Sequence, residues 1–187
     1  MDEANLHVIV LAAGAGTRMK SNRAKVLMPL AGKPLLAHVL ATARALRPAA
    51  IHIVYGHYGE QVQAVFADQP DLHWVLQAER LGTGHAVEQA LAQVPHGARV
   101  LVLYGDVPLT RVGTLRQLLQ ADAGFSLLTT RLEDPHGYRR LLCDDAGRVR
   151  EGIEETDADA GPRAVQPVNT GIVPAEAGLL PGPRGTP

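Results

Sequence analysis

Short apolar runs alternate with stretches of helical periodicity along the first two thirds of the chain. The runs predict strands and the periodic stretches predict helices, in the order strand 8–11, helix 35–46, strand 51–55, helix 60–66, strand 72–76, helix 84–94, strand 100–104 and helix 112–119. In the first helix, the apolar residues Leu36, Val39, Leu40 and Ala43 fall on one face. Alternating strands and helices need crossover connections. The pattern therefore predicts an α/β fold with a doubly wound, mostly parallel, Rossmann-like sheet that has helices on both faces.

The pattern changes at about residue 125, where the predicted strands become shorter and helices disappear. Strands are predicted at 126–131, 140–143, 148–153 and 165–173, and together they indicate a short mixed-strand extension of the main domain. The end of the chain is rich in proline and glycine, which favours disorder. The sequence therefore predicts one domain over residues 5–173, followed by a disordered tail over 174–187.

Composition and charge narrow the range of functions. The chain has 187 residues, 46% of them hydrophobic and 20% charged, with a formal net charge of −1, which is typical of a globular protein and argues against a nucleic-acid or membrane-surface role. Cys143 is the single cysteine, so no disulfide framework exists and a reducing compartment is expected. The acidic N-terminus offers no signal peptide or membrane span, and we expect a cytoplasmic protein. The histidines show no metal-ligand spacing, and His7, His52 and His73 are expected at sheet edges or on the surface.

The loop after the first strand has the composition of a phosphate-binding loop. It runs Leu11-Ala-Ala-Gly-Ala-Gly-Thr-Arg-Met19, and Gly14 and Gly16 allow backbone N–H groups to approach a ligand closely. Arg18 adds a fixed charge with a forked donor face. Neither the third glycine of a dinucleotide fingerprint nor the Gly-Lys-Ser/Thr of a P-loop is present, so an ordinary strand-to-helix turn is an alternative on these residues alone.

Two further loops should lie at the same edge, because ligands of such sheets bind beyond the carboxyl ends of the strands. Asp106, in Tyr104-Gly-Asp-Val-Pro108, offers an oxygen ligand to a hard cation, or alternatively caps the next helix. Gln77 offers a donor and an acceptor to a base edge. Gly82 and Thr83 precede a helix whose first N–H groups are unpaired, although a plain helix start explains them equally well.

Taken together, the motifs resemble those of the sugar-1-phosphate nucleotidyltransferases, and most closely the N-acetylglucosamine-1-phosphate uridylyltransferase branch. The resemblance lies in L-A-A-G-x-G-T-R-M-x(5)-K-V-L-x-x-L-A-G-K-P, which includes Lys25, and in Q-A-x-x-L-G-T-G-H-A. It implies transfer of UMP from UTP to N-acetylglucosamine-1-phosphate, with Mg²⁺ as cofactor and release of pyrophosphate. The product would be the cell-wall precursor UDP-N-acetylglucosamine.

The resemblance also implies a role for each matching residue. Arg18 and Lys25 would be catalytic, Asp106 would bind the metal, and Arg139, Glu154 and Asn169 would lie at the sugar. The residues implied for nucleotide binding are Leu11, Ala12, Ala13, Gly14, Gly16, Thr17, Lys25, Gln77, Gly82, Thr83, Tyr104, Gly105 and Asp106.

Among the departures of this chain from the family, two bear directly on its sugar and metal sites. Arg139, in Asp134-Pro-His-Gly-Tyr-Arg-Arg140, stands where the family has a glycine, so it either obstructs the amino sugar or places a cation beside the sugar phosphate. The sequence ends soon after Asn169-Thr-Gly171, before the asparagine that completes the family's metal site and before its trimerising acetyltransferase domain. We therefore expect a C-terminally incomplete uridylyltransferase domain that is monomeric. The alternatives are transfer with another nucleotide or sugar phosphate, and nucleotide binding without efficient catalysis.

Overall fold

A computed structural model of the chain describes residues 5–14, 23–79, 81–121, 124–134, 140–144, 148–153 and 167–180. These residues form two compact units. The first unit comprises the described residues up to Ser126 together with those from Val173 onward, and the second comprises those in Leu127–Ile172.

The elements of the first unit are, in chain order, β1 (Leu6–Leu11), β2 (Pro29–Leu30), β3 (Lys33–Pro34), α1 (Leu35–Arg44), β4 (Ala50–Tyr55), α2 (Gly59–Val65), β5 (Leu72–Leu76), α3 (Thr83–Leu91), β6 (Arg99–Tyr104) and α4 (Val112–Gln120). The second unit contributes β7 (Thr129–Arg131), β8 (Arg140–Cys143), β9 (Val149–Ile153) and β10 (Pro167–Asn169). The first unit then resumes with β11 (Val173–Glu176). A 3-10 turn at Lys25–Leu27 precedes the β2–β3 hairpin.

The main sheet has the strand order β11-β6-β1-β4-β5, in which β6, β1, β4 and β5 are parallel and β11 is antiparallel to β6. All six residues of β1 are buried, so both faces of this central strand are covered. The chain moves from β1 to β4 to β5 in one direction and then returns to β6 on the other side of β1. This reversal between β1 and β6 confirms the predicted doubly wound sheet and creates a topological switch point there.

The helices bury the faces that the sequence periodicity predicts. In α1 the buried residues are Leu36, Val39, Leu40 and Ala43, the set expected from the pattern. Helix α3 packs against β1, β4 and β5, and its residues Ala86, Val87 and Ala90 join a core cluster with Ile9, Leu11, Val54, Val75, Val100 and Val102. The predicted helices are confirmed, with ends that differ by up to three residues.

The C-terminal part of the fold differs from the prediction. The single strand expected at 165–173 is divided into β10, within the second unit, and β11, within the main sheet. The second unit's sheet has the order β7-β10-β8-β9 and is antiparallel throughout its described pairs. The predicted disordered tail is wrong for residues 174–179, because β11 pairs with the open edge of β6 and a 3-10 turn follows at Ala177–Leu179. The Ala177 N–H donates to the Ala98 carbonyl at 2.9 Å, which fixes that turn to the sheet.

Two strand histidines are buried, contrary to the expectation that they lie at edges or on the surface. His7 is 8% exposed and His52 is 2% exposed, whereas His73 is exposed as expected. His7 lies on β1 and His52 on β4, and these are interior strands of the sheet. Nδ1 of His7 lies 3.0 Å from Nε2 of His52, so the two rings share one hydrogen bond between strands. Among the described residues, no helix is long and apolar enough to cross a lipid bilayer.

Candidate functional site

Three loops begin at the carboxyl edge of the main sheet, and backbone hydrogen bonds fix their first residues. The N–H of Ala12 donates to Val54 at 2.8 Å, that of Gln77 to Tyr55 at 2.8 Å, and that of Gly105 to Leu11 at 2.9 Å. Each bond extends a parallel ladder by one residue beyond its strand. The loops therefore leave the sheet from rigid starting points on both sides of the switch point.

A cavity of about 370 Å³ lies between these loops, within the first unit. This volume is in the range of small-molecule binding sites. It is lined by Leu11, Ala13, Gly14, Lys25, Val26, Gln77, Gly82, Thr83, Ala86, Tyr104 and Asp106. The structure thus brings together most of the predicted nucleotide-binding residues, and Ala12 and Gly105 contribute backbone beside the cavity without lining it. The predicted residues Gly16, Thr17 and Arg18 lie outside the described part of the chain.

Gly105 allows the loop that carries Asp106 to pack closely on its neighbours. A Cβ atom at this position would lie 3.1 Å from Cγ1 of Val26 and 3.3 Å from both the Leu11 carbonyl oxygen and Cδ1 of Leu36. Such contacts are tight for packed side chains, so a larger residue would force its neighbours or the loop to shift by a few tenths of an ångström. Glycine at this position is therefore favoured by packing.

Lys25 and Asp106 form an ion pair at the cavity. Nζ of Lys25 lies 2.6 Å from Oδ2 of Asp106, and the two side chains are 43% and 28% exposed. Helix α4 begins only at Val112, and no side-chain hydrogen bond caps it, so the alternative role of Asp106 as a helix cap is wrong. A partly exposed cation and a partly exposed carboxylate at a cavity edge can each exchange this contact for one with a ligand.

The start of α3 forms another wall of the cavity. Gly82 precedes the helix with φ 104° and ψ 179°, a conformation that strongly favours glycine. Gln77 is 5% exposed, and its Nε2 donates to the Gly82 carbonyl oxygen at 3.0 Å. The first N–H groups of α3 have no partner within the helix and can bind polar atoms of a ligand. This wall therefore combines a fixed amide with free backbone donors.

Tyr104 contributes a neutral hydroxyl to the cavity. Burial raises the pKa of Tyr104, the negative charge of Asp106 raises it further, and the Thr83 side chain opposes the shift. The hydroxyl therefore stays protonated across the physiological range and can both donate and accept hydrogen bonds.

The sequence reasoning missed several residues at this site. Val26 and Ala86 supply apolar lining, and His85 and Gln89 support Gln77 from behind, with His85 Nδ1 3.2 Å from Gln77 Nε2. His85 belongs to the Q-A-x-x-L-G-T-G-H-A motif, and its place in that motif is the feature of the sequence that could have identified it as a site residue. Its contact with a residue eight positions earlier depends on how the loop folds back, and no helical or strand period shows that.

The described structure does not test the roles of the residues predicted to contact the sugar. Asn169 lies at the end of β10 in the second unit, where its Oδ1 accepts a hydrogen bond from the Gly171 N–H at 2.6 Å. This contact is that of a turn-forming asparagine. Arg139 and Glu154 lie outside the described residues. The sugar-binding roles of all three residues stay predictions.

Among the described residues that line the cavity, the carboxylate open to a divalent cation is that of Asp106. Within the described ranges, no group of three or more histidine, cysteine or acidic side chains is arranged to hold a metal ion. Mg²⁺ commonly binds through one or two carboxylates together with substrate phosphates and water, so a single partly exposed Asp106 fits that cation if a polyphosphate binds with it.

Comparison with known proteins gives close relatives. The chain is 57% identical over 175 residues to the bifunctional protein GlmU of Xanthomonas oryzae pv. oryzae, covering 94% of this chain and 38% of that protein. It is 55% identical, over the same number of residues and the same shares, to the bifunctional protein GlmU of Xylella fastidiosa strain M23. The chain thus spans less than two fifths of the length of the curated relatives it matches.

The structural and family comparisons agree with this result. A crystal structure of a putative glucose-1-phosphate thymidylyltransferase from Bacillus anthracis, in complex with a sucrose, superposes with a TM-score of 0.75 at 17% identity, covering 92% of this chain and 72% of that one. At this identity the likeness shows a shared fold only. Residues 8–168 match the family described as the MobA-like NTP transferase domain, which is most of the chain. The chain therefore belongs to the MobA-like NTP transferase family.

Proposed function

We propose that this chain transfers UMP from UTP to N-acetylglucosamine-1-phosphate, producing UDP-N-acetylglucosamine and pyrophosphate. One observation carries the proposal: Lys25, Gln77 and Asp106, which come from three separate loops, line one cavity at the switch point of an NTP transferase fold. A cation, a base-reading amide and a metal-binding carboxylate are the groups that such a substrate pair requires. The similarity to GlmU proteins supports the same assignment.

The chemistry needs little from the protein besides position and charge. A phosphate oxygen of the sugar phosphate attacks the α-phosphorus of UTP, and the bond from that phosphorus to the β-phosphate oxygen breaks as pyrophosphate leaves. Because the nucleophile is already an anion, no general base is needed. The protein must hold two anions in line and neutralise the charge that develops between them. Lys25 supplies such charge at the cavity, and we assign Arg18 the same task.

Asp106 is the residue that would hold Mg²⁺, with phosphates and water as the other ligands. When bound, Mg²⁺ would supply charge neutralisation on the triphosphate. Lys25 now occupies Oδ2 of Asp106 at 2.6 Å, so it must turn from the carboxylate toward the phosphates when the substrate enters. Gln77 and the Gly82–Thr83 backbone would hold the base, and Arg139, Glu154 and Asn169 would contact the sugar. The exposed thiol of Cys143 suits a reducing compartment, and we propose the cytoplasm.

Pyrophosphate release tests the proposal directly. The wild type should release pyrophosphate from UTP with N-acetylglucosamine-1-phosphate faster than from ATP, CTP, GTP or dTTP with the same acceptor, or from UTP with other hexose phosphates. Lys25→Gln and Asp106→Asn should each lower turnover by about a hundredfold or more, since each removes charge that acts on the transition state. The matched controls Lys33→Gln and Asp68→Asn change exposed residues of the same types and should keep wild-type rates.

The other outcomes identify the alternatives. Faster release from another nucleotide or sugar phosphate would contradict the proposed substrate pair while keeping the reaction type. Tight UTP binding without any release would indicate a nucleotide-binding protein that lacks catalytic activity. Equal loss of activity in the control variants would mean that the site residues have been assigned wrongly.

A further inference from the structure

We propose that His85 is a positioning residue that sets the orientation of the Gln77 amide and thereby makes the site select uracil over cytosine. The inference rests on the proposed function, because it concerns how the same cavity reads the base of its nucleotide. His85 is half-buried in the first turn of α3 and does not line the cavity, so its influence on a ligand must pass through Gln77.

The backbone of Gln77 is fixed before its side chain is considered. Gln77 follows β5 directly, and its N–H donates to the Tyr55 carbonyl oxygen at 2.8 Å. The side chain lines the cavity while the residue as a whole is only 5% exposed. A ligand at this position therefore meets one edge of the Gln77 amide, which is either the oxygen Oε1 or the nitrogen Nε2.

Two contacts determine the orientation of the Gln77 amide. The terminal amide lies 3.0 Å from the Gly82 carbonyl oxygen and 3.2 Å from Nδ1 of His85, and both contacts are made by Nε2 of Gln77. A carbonyl oxygen can only accept, so the atom facing it must be the amide nitrogen. That nitrogen carries two hydrogens, one for Gly82 and one for His85. Nδ1 of His85 is therefore the acceptor and carries no proton.

The other ring nitrogen completes the arrangement. With Nδ1 accepting, the neutral ring carries its proton on Nε2, which lies 3.2 Å from Nε2 of Gln89. Two donors cannot share that contact. Because the Gly82 carbonyl holds Gln77, the Gln89 amide is the one that turns by 180° and presents its oxygen to this proton. The contacts thus run from Gln89 through His85 and Gln77 to the Gly82 carbonyl, and the second tautomer of His85 would place two donors against each other at Gln77.

The consequence is a single hydrogen-bonding choice at the base. Both N–H groups of Gln77 are used, and Oε1 has no hydrogen-bond partner among the described residues, so the ligand meets an acceptor. Uracil carries an N–H at ring position 3 and can donate to that oxygen, whereas cytosine has a lone pair there and is repelled. Without His85, one N–H of Gln77 is left unpaired, and the amide can turn to offer it to cytosine.

Calorimetric binding of UTP and CTP to the full chain, without sugar phosphate, tests this inference. We expect the wild type to prefer UTP and His85→Leu to lower the ratio of the two affinities about five- to tenfold, as loss of one directed hydrogen bond implies. His85→Asn places an amide oxygen where Nδ1 lies and should restore most of the ratio. His85→Gln is the matched control, because its longer amide extends toward Gln89 and should behave like the leucine variant.

A double-mutant cycle decides whether the effect passes through Gln77. Adding His85→Leu to a Gln77→Leu chain should leave the affinity ratio unchanged, because the group that His85 orients is gone. The inference is overturned if His85→Leu weakens UTP and CTP equally, if it leaves their ratio at the wild-type value, or if it acts fully in the Gln77→Leu background. If the wild type does not prefer UTP over CTP, both the proposed base and this inference are wrong. That failure can be told apart from a wrong role for His85 alone, because it is seen in the wild type before any variant is made.

Discussion

Acidification should weaken the folded state because His52 resists protonation in its buried position. His52 lies on an interior strand and is 2% exposed. The pKa of His52 is lowered to about 4, mainly by burial and to a smaller extent by the charges of the neighbouring His7 and His73. The Gln93 side chain opposes the shift through a polar contact. No hydrogen bond reaches His52 Nδ1 from the described residues, so this opposition is weak.

The sign and size of the effect follow from proton linkage. In the unfolded chain the imidazole titrates near its ordinary value of 6.5, so between there and about pH 4 the unfolded state binds a proton that the folded state excludes. This contribution to stability is complete above the unfolded pKa and is lost as pH falls toward the folded one. Each pKa unit corresponds to about 1.4 kcal/mol, so the free energy of unfolding should fall by about 2 kcal/mol between about pH 7 and about pH 5.

Urea denaturation followed by the fluorescence of Trp74, the single tryptophan, measures this decline. Trp74 lies on β5 with its ring edge against Tyr55, at a centroid distance of 5.9 Å, so unfolding changes its surroundings. His52→Gln removes the titrating ring and should flatten the decline by about 2 kcal/mol, whatever its effect on absolute stability. His96→Gln changes an exposed histidine and should keep the wild-type slope. An equal decline in the wild type and His52→Gln would refute the reasoning.

Protonation of Asp71 does not contribute to the decline in stability between about pH 7 and about pH 5. Its hydrogen bond from Arg44 holds the pKa of Asp71 below its ordinary 3.8, so the stabilisation it provides is present above that value and is lost only at lower pH. The window between about pH 5 and about pH 7 therefore isolates the histidines. His7 also has a pKa lowered by burial, and it accounts for the slope that remains in His52→Gln.

Three further changes have definite expected outcomes. Lys25→Gln should tighten Mn²⁺ binding measured by calorimetry without nucleotide, because the ammonium that pairs with Asp106 at 2.6 Å is removed; unchanged affinity would mean that the metal does not use this carboxylate. Gly105→Ala should lower the free energy of unfolding in urea by about 1 kcal/mol, and adding Val26→Ala should recover part of the loss if the 3.1 Å approach to Cγ1 causes it. Arg139→Gly should lower the KM for N-acetylglucosamine-1-phosphate in the pyrophosphate assay if the arginine obstructs the sugar, whereas a higher KM would indicate that it pairs with the sugar phosphate.

The sequence predicted the elements that depend on local pattern. Continuous apolar runs identified β1 and β6, because strands buried on both faces of a parallel sheet have no polar alternation. The rule that ligands bind at the carboxyl ends of such strands then placed Gln77 and Asp106 at one edge, and the cavity lined by both confirms that they meet.

What the sequence missed depends on strand order and on contacts between distant residues. A polar residue near the start of a strand is usually exposed, and His7 and His52 are buried only because β1 and β4 are interior strands. The β11 strand looked like part of a disordered tail because its partner, the open edge of β6, lies some seventy residues earlier in the chain. Pairings of this kind are set by the topology and leave no periodic signal.

The buried histidine pair, His7 and His52, lies at one end of the strands of the main sheet, and the cavity lies at the other. The group that makes stability depend on pH is therefore distant from the groups that would bind the nucleotide. His7 stands near the start of β1 and Leu11 at its end beside the cavity, four residues or roughly 13 Å apart along an extended strand. His52 stays neutral in the folded state between about pH 5 and about pH 7, so its own titration adds no charge in that range that could act on a bound nucleotide. His52→Gln should therefore change the pH dependence of unfolding while leaving UTP affinity at wild-type values throughout that range. If calorimetry instead shows UTP affinity following the titration of His52, the amino and carboxyl ends of the sheet are coupled, and the core between them is not the rigid spacer that its close packing implies.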